Sequence, residues 1–172
     1  MAYLPYIYGI NVYIMAAVKK FLISKPLDPH RSGRVHVIAS TQGNIEWKTS
    51  EERINIIRQG VPYGAIENVS VNLGVATGKM LDHLSIAQRT YNKKKKEDAI
   101  LDPRFSESIL ELQEIYDFGV DVFNNEKEKF LRWLKKPNQS LGNVTPESLF
   151  DSLTGINEVR KALTRMEYGN MA

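Results

Sequence analysis

The 172-residue chain reads as an all-α protein. From Thr49 onward, apolar residues return every three or four positions in one stretch after another, the spacing of helices that bury one stripe. These stretches tend to open on Ser, Thr or Asn and close on Gly or Pro, the residues that start and stop helices. Strand-like runs are confined to two short pieces before residue 48. The expected layout is an irregular N-terminal extension (1–48), a helix-turn-helix region (49–105), and a C-terminal region (106–172) in which a bridging helix leads into three short helices. No long Gly/Ser-rich or Pro-rich linker divides the last two regions, so they are expected to pack as one body.

Composition narrows the function classes. With 42% apolar and 25% charged residues, the chain can fill a core and keep a soluble surface. It has no cysteine, which excludes disulfides, thiolate catalysis and cysteine-held metals and fits a cytoplasmic protein. The net charge of +3 is unevenly spread: six Lys/Arg face two Asp/Glu over 1–48, nine face seven over 49–105, and eight face eleven over 106–172. The three parts thus carry +4, +2 and −3. A polyanion such as nucleic acid would be met by the middle of the chain, not by its acidic end.

Residues 1–18, MAYLPYIYGINVYIMAAV, have no charged side chain. A secretory signal needs basic residues before its apolar core, whereas Lys19 and Lys20 follow it. A membrane span needs about 20 strongly apolar residues, and Pro5, Gly9, Asn11 and four tyrosines interrupt this stretch. No membrane association is expected. The segment reads as a partly ordered or flexible extension, or Met15 as the start of a shorter chain. Further on, Val35-His36-Val37-Ile38 and Ile45-Glu46-Trp47 flank Thr41-Gln42-Gly43-Asn44 and fit a short hairpin or an extended arm equally. His30 and His36 lack the nearby ligands of a metal site and read as surface histidines.

The folded region is expected to begin at Thr49, which with Glu52 forms a capping box. Ile54, Ile57 and Val61 follow at helical spacing until Gly60 and Pro62 end the helix. A second helix carries Ile66, Val69 and Leu73 and stops at Gly74. Thr77 is expected to cap a short helix running to Leu84, with His83 at its negative dipole end. Ser85 and Ile86 then turn the chain into another helix over 87–96. Two short helices joined by a few residues are the pattern of a helix-turn-helix. Its second helix must offer side chains that hydrogen-bond base edges, and Gln88, Arg89, Thr90 and Asn92 are of that kind. Lys93 and Lys94, with Lys95 and Lys96 behind them, would meet phosphates, and from Ser85 to Lys96 five cations face no acid. A solvated basic helix end would look the same, since lysines also suit a helix C-terminus.

Ser106 is expected to cap a long bridging helix to about Phe123, with Ile109, Leu112, Ile115, Tyr116, Gly119, Val122 and Phe123 as its apolar stripe and Glu107, Glu111, Glu114 and Asp117 off it. Gly119 costs about 1 kcal/mol relative to alanine in mid-helix and marks a place where another helix packs close. In the last region, Asn125 and Glu128 suggest a capping box for a helix with Phe130, Trp133 and Leu134 that ends near Pro137. Thr145-Pro146-Glu147 opens a second helix, and Gly155 separates it from a third with Ile156, Val159, Leu163 and Met166, closed by Gly169.

In their order and spacing, Leu84-Ser85-Ile86, Arg89-Thr90, Ser106-Glu107-Ser108, Val122-Phe123, Trp133-Leu134, Pro137-Asn138, Leu141-Gly142, Thr145-Pro146, Leu149, Gly155, Val159, Leu163 and Tyr168-Gly169 resemble the Xre/MbcA/ParS antitoxins. The resemblance runs from about Thr49 to Gly169 and is most specific in the C-terminal part. It implies an Xre-like helix-turn-helix packed with a C-terminal toxin-binding unit. It further implies a type II toxin–antitoxin antitoxin that occludes the active site of a RES-domain, NAD-consuming toxin and represses its own promoter as a homodimer. Carried onto this chain, the toxin-facing candidates are Asn138, Leu141, Arg160, Arg165, Tyr168 and Gly169, with both arginines and Tyr168 expected to be exposed. The DNA-facing candidates are Gln88, Arg89, Thr90, Asn92, Lys93 and Lys94. Tyr91-Asn92-Lys93 departs from the family pattern, which often has an aliphatic residue followed by arginines there.

A stand-alone helix-turn-helix regulator with a C-terminal dimerisation module has the same pattern, and an adjacent toxin gene separates the two. An enzyme is not expected: there is no glycine-rich phosphate loop or nucleophile–base arrangement, and Glu126 and Glu128 sit at a charge-rich helix start. No cofactor or metal is implied.

Overall fold

The computed structural model of the protein describes residues 34–40 and 43–169. The expectations for Met15, His30 and the uncharged first 18 residues lie outside the described residues. In chain order the elements are β1 (His36–Ile38), β2 (Ile45–Trp47), α1 (Ser50–Gln59), α2 (Ala65–Leu73), α3 (Thr77–His83), α4 (Gln88–Lys96), α5 (Pro103–Val122), α6 (Lys127–Leu134), two 3₁₀ turns (Gln139–Leu141 and Pro146–Leu149) and α7 (Leu153–Glu167). The fold is helical as expected, with one small sheet added. Val35-His36-Val37-Ile38 and Ile45-Glu46-Trp47 do form the antiparallel hairpin, in the register His36↔Trp47, Val37↔Glu46, Ile38↔Ile45.

The twenty-residue α5 is the axis on which the rest is assembled; β1, α1, α2, α6 and α7 all pack against it. Its Ile109, Leu110, Leu112 and Ile115 are fully buried, each worth about 1.5–3 kcal/mol of apolar burial. Gly119 is where α6 comes closest: a Cβ there would lie 2.2 Å from the Phe130 ring, so only glycine admits that ring. Tyr116, Phe123, Phe130 and Trp133 surround the spot with ring centroids 5.8–6.5 Å apart.

Local signals placed several boundaries. The Thr49–Glu52 capping box is reciprocal, and Gly74 and Gly169 take the left-handed conformation at helix ends, with φ +64° and +70°. Others shift. The folded body begins before Thr49, because Ile38 and Trp47 of the hairpin are buried in the common core. Ala76, not Thr77, precedes α3, and Thr77 is its first helical residue. Asp102 caps α5 by accepting from Phe105 N–H at 3.1 Å with Pro103 in the first turn, while Ser106 is buried. The Ser106 hydroxyl instead accepts from Val61 N–H at 3.0 Å, pinning the α1–α2 connection to α5. Asn124 and Asn125 form a left-handed turn (φ +55° and +64°), so Asn125 caps nothing and α6 starts after Glu126. Residues 146–149 make only a 3₁₀ turn, without a side-chain bond from Thr145. Gly155 lies inside the first turn of α7, whose N-cap is Ser152, and packs on the Leu149 carbonyl. Ile54 is 44% exposed, and it is Ile56 and Ile57 that lean on the core.

Candidate functional site

The first candidate surface is built by α3, the turn after it and α4. Leu84 and Ile86 are buried and seat the turn, whose Ser85 has φ +55°, and Ile86 N–H donates to Leu81 O at 2.9 Å. Tyr91 is the one buried residue of α4 and holds that helix to the body. Gln88, Arg89, Thr90, Asn92, Lys93 and Lys94 are all exposed on it. Gln88 Nε2 donates to Asn92 Oδ1 at 3.0 Å, aligning two carboxamides of the kind that read base edges. Lys93 and Lys94 sit 3.9 and 3.8 Å from Glu97, loose exposed pairs that leave their charge available. Lys95 is drawn back instead. It pairs with Glu67, whose carboxylate raises the Lys95 ammonium above its ordinary value, and lies 5.7 Å from the Tyr91 ring centroid.

The second surface belongs to the C-terminal unit. Asn138 is half-buried and caps the first 3₁₀ turn, its Oδ1 accepting from the Ser140 N–H at 2.9 Å. Leu141 packs against the core. Arg165, half-exposed near the end of α7, places Nη2 3.4 Å from Ser140 Oγ and so links that end to the loop. Tyr168 is 45% exposed and Gly169 lies beside it. Arg160 does not belong to this surface: it is only 7% exposed, contrary to expectation. Its guanidinium pairs with Glu111 and, at 3.1 Å, with Glu114 of α5.

That burial exposes what the sequence reading missed. Glu114, read as lying off the apolar stripe, is 1% exposed; it accepts from Trp47 Nε1 at 3.0 Å and lies 3.0 Å from Arg53 Nε. Arg53 also reaches Glu111, so two carboxylates and two guanidinium groups form a charge-balanced cluster joining hairpin, α1, α5 and α7. His36 is not a surface histidine either. It stacks on Trp47 with ring centroids 5.2 Å apart, and its Nδ1 lies 2.6 Å from Asp117 Oδ2. Arg34 secures the same edge through Asp117 O at 2.7 Å and Asp121 at 2.6 Å. No local signal marks these groups, because every partner is distant in sequence.

The two surfaces meet at a polar contact. Lys79 of α3 pairs with Glu147, itself 4% exposed, and the His83 ring stands edge-on to Phe150 at 6.2 Å. Burial holds the His83 imidazole below its ordinary value, helped by the Lys79 charge and opposed by Glu147, Asp151 and Asp82. Among the described residues no group of three or more His, Cys, Asp or Glu could hold a metal, and no helix is long and apolar enough to cross a membrane.

A helix-turn-helix body with a second, C-terminal contact unit packed on the same central helix is the layout of the regulator–antitoxin class. Residues 52–114 match the antitoxin Xre-like helix-turn-helix domain, and residues 119–169 match the antitoxin Xre/MbcA/ParS C-terminal toxin-binding domain, the two meeting within α5. The chain thus carries an antitoxin Xre-like helix-turn-helix domain followed by an Xre/MbcA/ParS C-terminal antitoxin domain. It is 29% identical over 135 residues to Antitoxin Xre of Photorhabdus laumondii subsp. laumondii, covering 74% of this chain and 91% of that one. It is 27% identical over 116 residues to Antitoxin Xre of Yersinia enterocolitica, covering 67% and 78%. A third relative, the Prs ADP-ribosylating antitoxin of a Sphingobium species, is 28% identical over 129 residues, covering 70% and 81%. The protein is thus the antitoxin of a toxin–antitoxin system, with a helix-turn-helix domain and a toxin as partner.

Proposed function

We propose that this antitoxin neutralises a RES-type, NAD-consuming toxin in the cytoplasm by covering the entrance of its active site, acting through binding and not catalysis. The toxin-binding domain over 119–169 carries the reading, with Arg165, Tyr168 and Gly169 gathered at the end of α7. The word ADP-ribosylating in one relative's name favours a toxin that draws on NAD, the usual donor of ADP-ribose. Co-expression with the product of the adjoining gene tests it: growth should be rescued by the antitoxin and lost with the double variant R165A/Y168A. Rescue by that variant, or a harmless neighbouring gene product, overturns it.

The second part of the proposal is autorepression. The exposed face of α4, with Gln88, Arg89, Thr90 and Asn92 for base edges and Lys93 and Lys94 for phosphates, is suited to a major groove. Two half-sites read by a symmetric homodimer are the expected operator. DNA binding predicts log affinity falling with log salt by about 0.9 per phosphate neutralised. Equal affinity for promoter and random DNA removes it. Exposure of α4 serves a stand-alone regulator equally, and a chain without an adjoining toxin gene would favour that reading.

A further inference from the structure

Residues 138–144 form a closed loop anchored on the core by Leu141. An antiparallel bridge closes it, with Asn138 N–H donating to Val144 O at 2.9 Å. The Asn138 carbonyl accepts from Leu141 N–H at 3.0 Å and from Asn143 N–H at 2.9 Å. Its Oδ1 accepts from both the N–H and the hydroxyl of Ser140, at 2.9 and 2.8 Å. One residue therefore ties the whole loop. Gly142 and Asn143 are both left-handed, with φ +76° and +62°, a conformation that glycine and asparagine adopt more readily than other residues. Leu141 alone turns to the core; Gln139, Ser140, Gly142, Asn143 and Val144 are exposed.

The chemistry of the exposed part is uniform. No residue of 138–144 is charged, and what projects is two carboxamides and the Val144 methyls, 40% exposed. Cations border it. Lys135 and Lys136 precede the loop, exposed and without an ion-pair partner among the described residues, and Arg165 reaches Ser140 from α7. A polyanion would want cations on the loop itself, whereas a protein cleft with an acidic rim would accept a neutral tip and attract its collar.

We infer that residues 139–144 are a rigid, uncharged wedge, collared by Lys135, Lys136 and Arg165, that enters a neutral, hydrogen-bonding cleft of the toxin with an acidic rim. The inference rests on the toxin-binding reading above. Gln139, Asn143 and Val144 make the contact; Asn138 is a positioning residue and Leu141 the anchor. Because the loop is ordered before it binds, little freedom is lost on association.

The test is affinity for the purified toxin encoded beside this chain, measured with the full-length antitoxin. Asn143→Gly keeps the left-handed backbone and removes only the carboxamide; Val144→Asp puts a charge on the tip at an exposed site. Each should weaken binding about 10-fold or more with an unchanged melting temperature, an amount that one unpaired polar contact commonly reaches. K135E/K136E should slow association and flatten its salt dependence. Asn138→Ala should weaken binding and also speed amide exchange at Ser140, which a mere contact residue would not do. Wild-type affinity in both tip variants overturns the wedge while leaving the toxin reading intact. No binding by the wild type overturns both.

Discussion

The helices α4 and α7 were built for opposite neighbours. α4 buries Tyr91 alone, pairs Lys95 with Glu67 of α2, and turns its other polar residues to solvent. α7 buries Gly155, Ile156, Val159, Arg160, Ala162 and Leu163 along its length. An arginine on the first is a group free to bind; an arginine on the second can be part of the core. Arg89 and Arg160 look alike in sequence, and only the number of packed sides decides which is which. Exposure can be read from sequence for a helix with one anchor, and it fails for a helix packed against α5 and the loops together.

The sharpest way to break this contrast is to remove each arginine. Arg160→Ala leaves two carboxylates, Glu111 and the buried Glu114, facing the single guanidinium of Arg53, and that unbalanced charge should cost about 3–5 kcal/mol, lowering the melting temperature by about 10 °C or more. Arg89→Ala, at an exposed site, should change stability by no more than about 0.5 kcal/mol and act only on promoter affinity. Equal melting temperatures for the two variants would mean the cluster of Arg53, Glu111, Glu114 and Arg160 holds nothing together.

Glycines give a second, smaller contrast. A Cβ at Gly155 would meet the Leu149 carbonyl oxygen at 2.2 Å, and backbone cannot swing aside, so Gly155→Ala should cost about 2–3 kcal/mol. Gly142 has nothing within 4 Å of its virtual Cβ, and only its φ of +76° resists, so Gly142→Ala should cost about 1–2 kcal/mol. Thermal melts of the pair separate crowding from conformational strain. A reversed order would place the loop, not the start of α7, among the tighter parts of the C-terminal unit.

What the sequence made legible follows the reach of its signals. The Thr49–Glu52 box, Gly74, Gly169 and the close approach at Gly119 are local codes, and each stands as read. Even local codes compete: Asp102-Pro103 outranked Ser106 as the start of α5, since proline in the first turn needs no N–H partner and an aspartate before it can cap. The buried network was beyond such reading. Glu114 finds Trp47 67 residues away and Arg160 46 residues away, and His36 finds Asp117 across 81. Charged residues at helical spacing look solvated until the fold supplies their partners. The exposed face of α4 was legible for the complementary reason, because the partners of Gln88, Lys93 and Lys94 lie within four residues of them.

On that exposed face the expected effects are confined to binding. Lys94→Ala should reduce the salt dependence of DNA affinity by about one unit of log–log slope, and Lys93→Ala likewise, while folding is untouched. Lys95→Ala should change the slope less, because Glu67 already holds that ammonium. Titrating promoter DNA at several salt concentrations distinguishes them; three equal slopes would mean that the Glu67 pair opens on DNA.

The smallest effect lies where the two regions touch. His83 is held below its ordinary value chiefly by burial beside Phe150, so the native state takes up its proton later than the unfolded chain does as pH falls. Below about pH 6.5, where a free imidazole titrates, the unfolded state binds the extra proton, and stability declines as pH drops through that window. Glu147, Asp151 and Asp82 oppose the shift and keep the decline shallow, while Lys79 reinforces it. His83→Phe keeps an aromatic ring against Phe150 and removes the titration, so its melting temperature should vary less between pH 7.5 and 5.5 than that of the wild type. The same slope in both proteins would assign the decline to carboxylates elsewhere and leave the α3–Phe150 contact insensitive to pH.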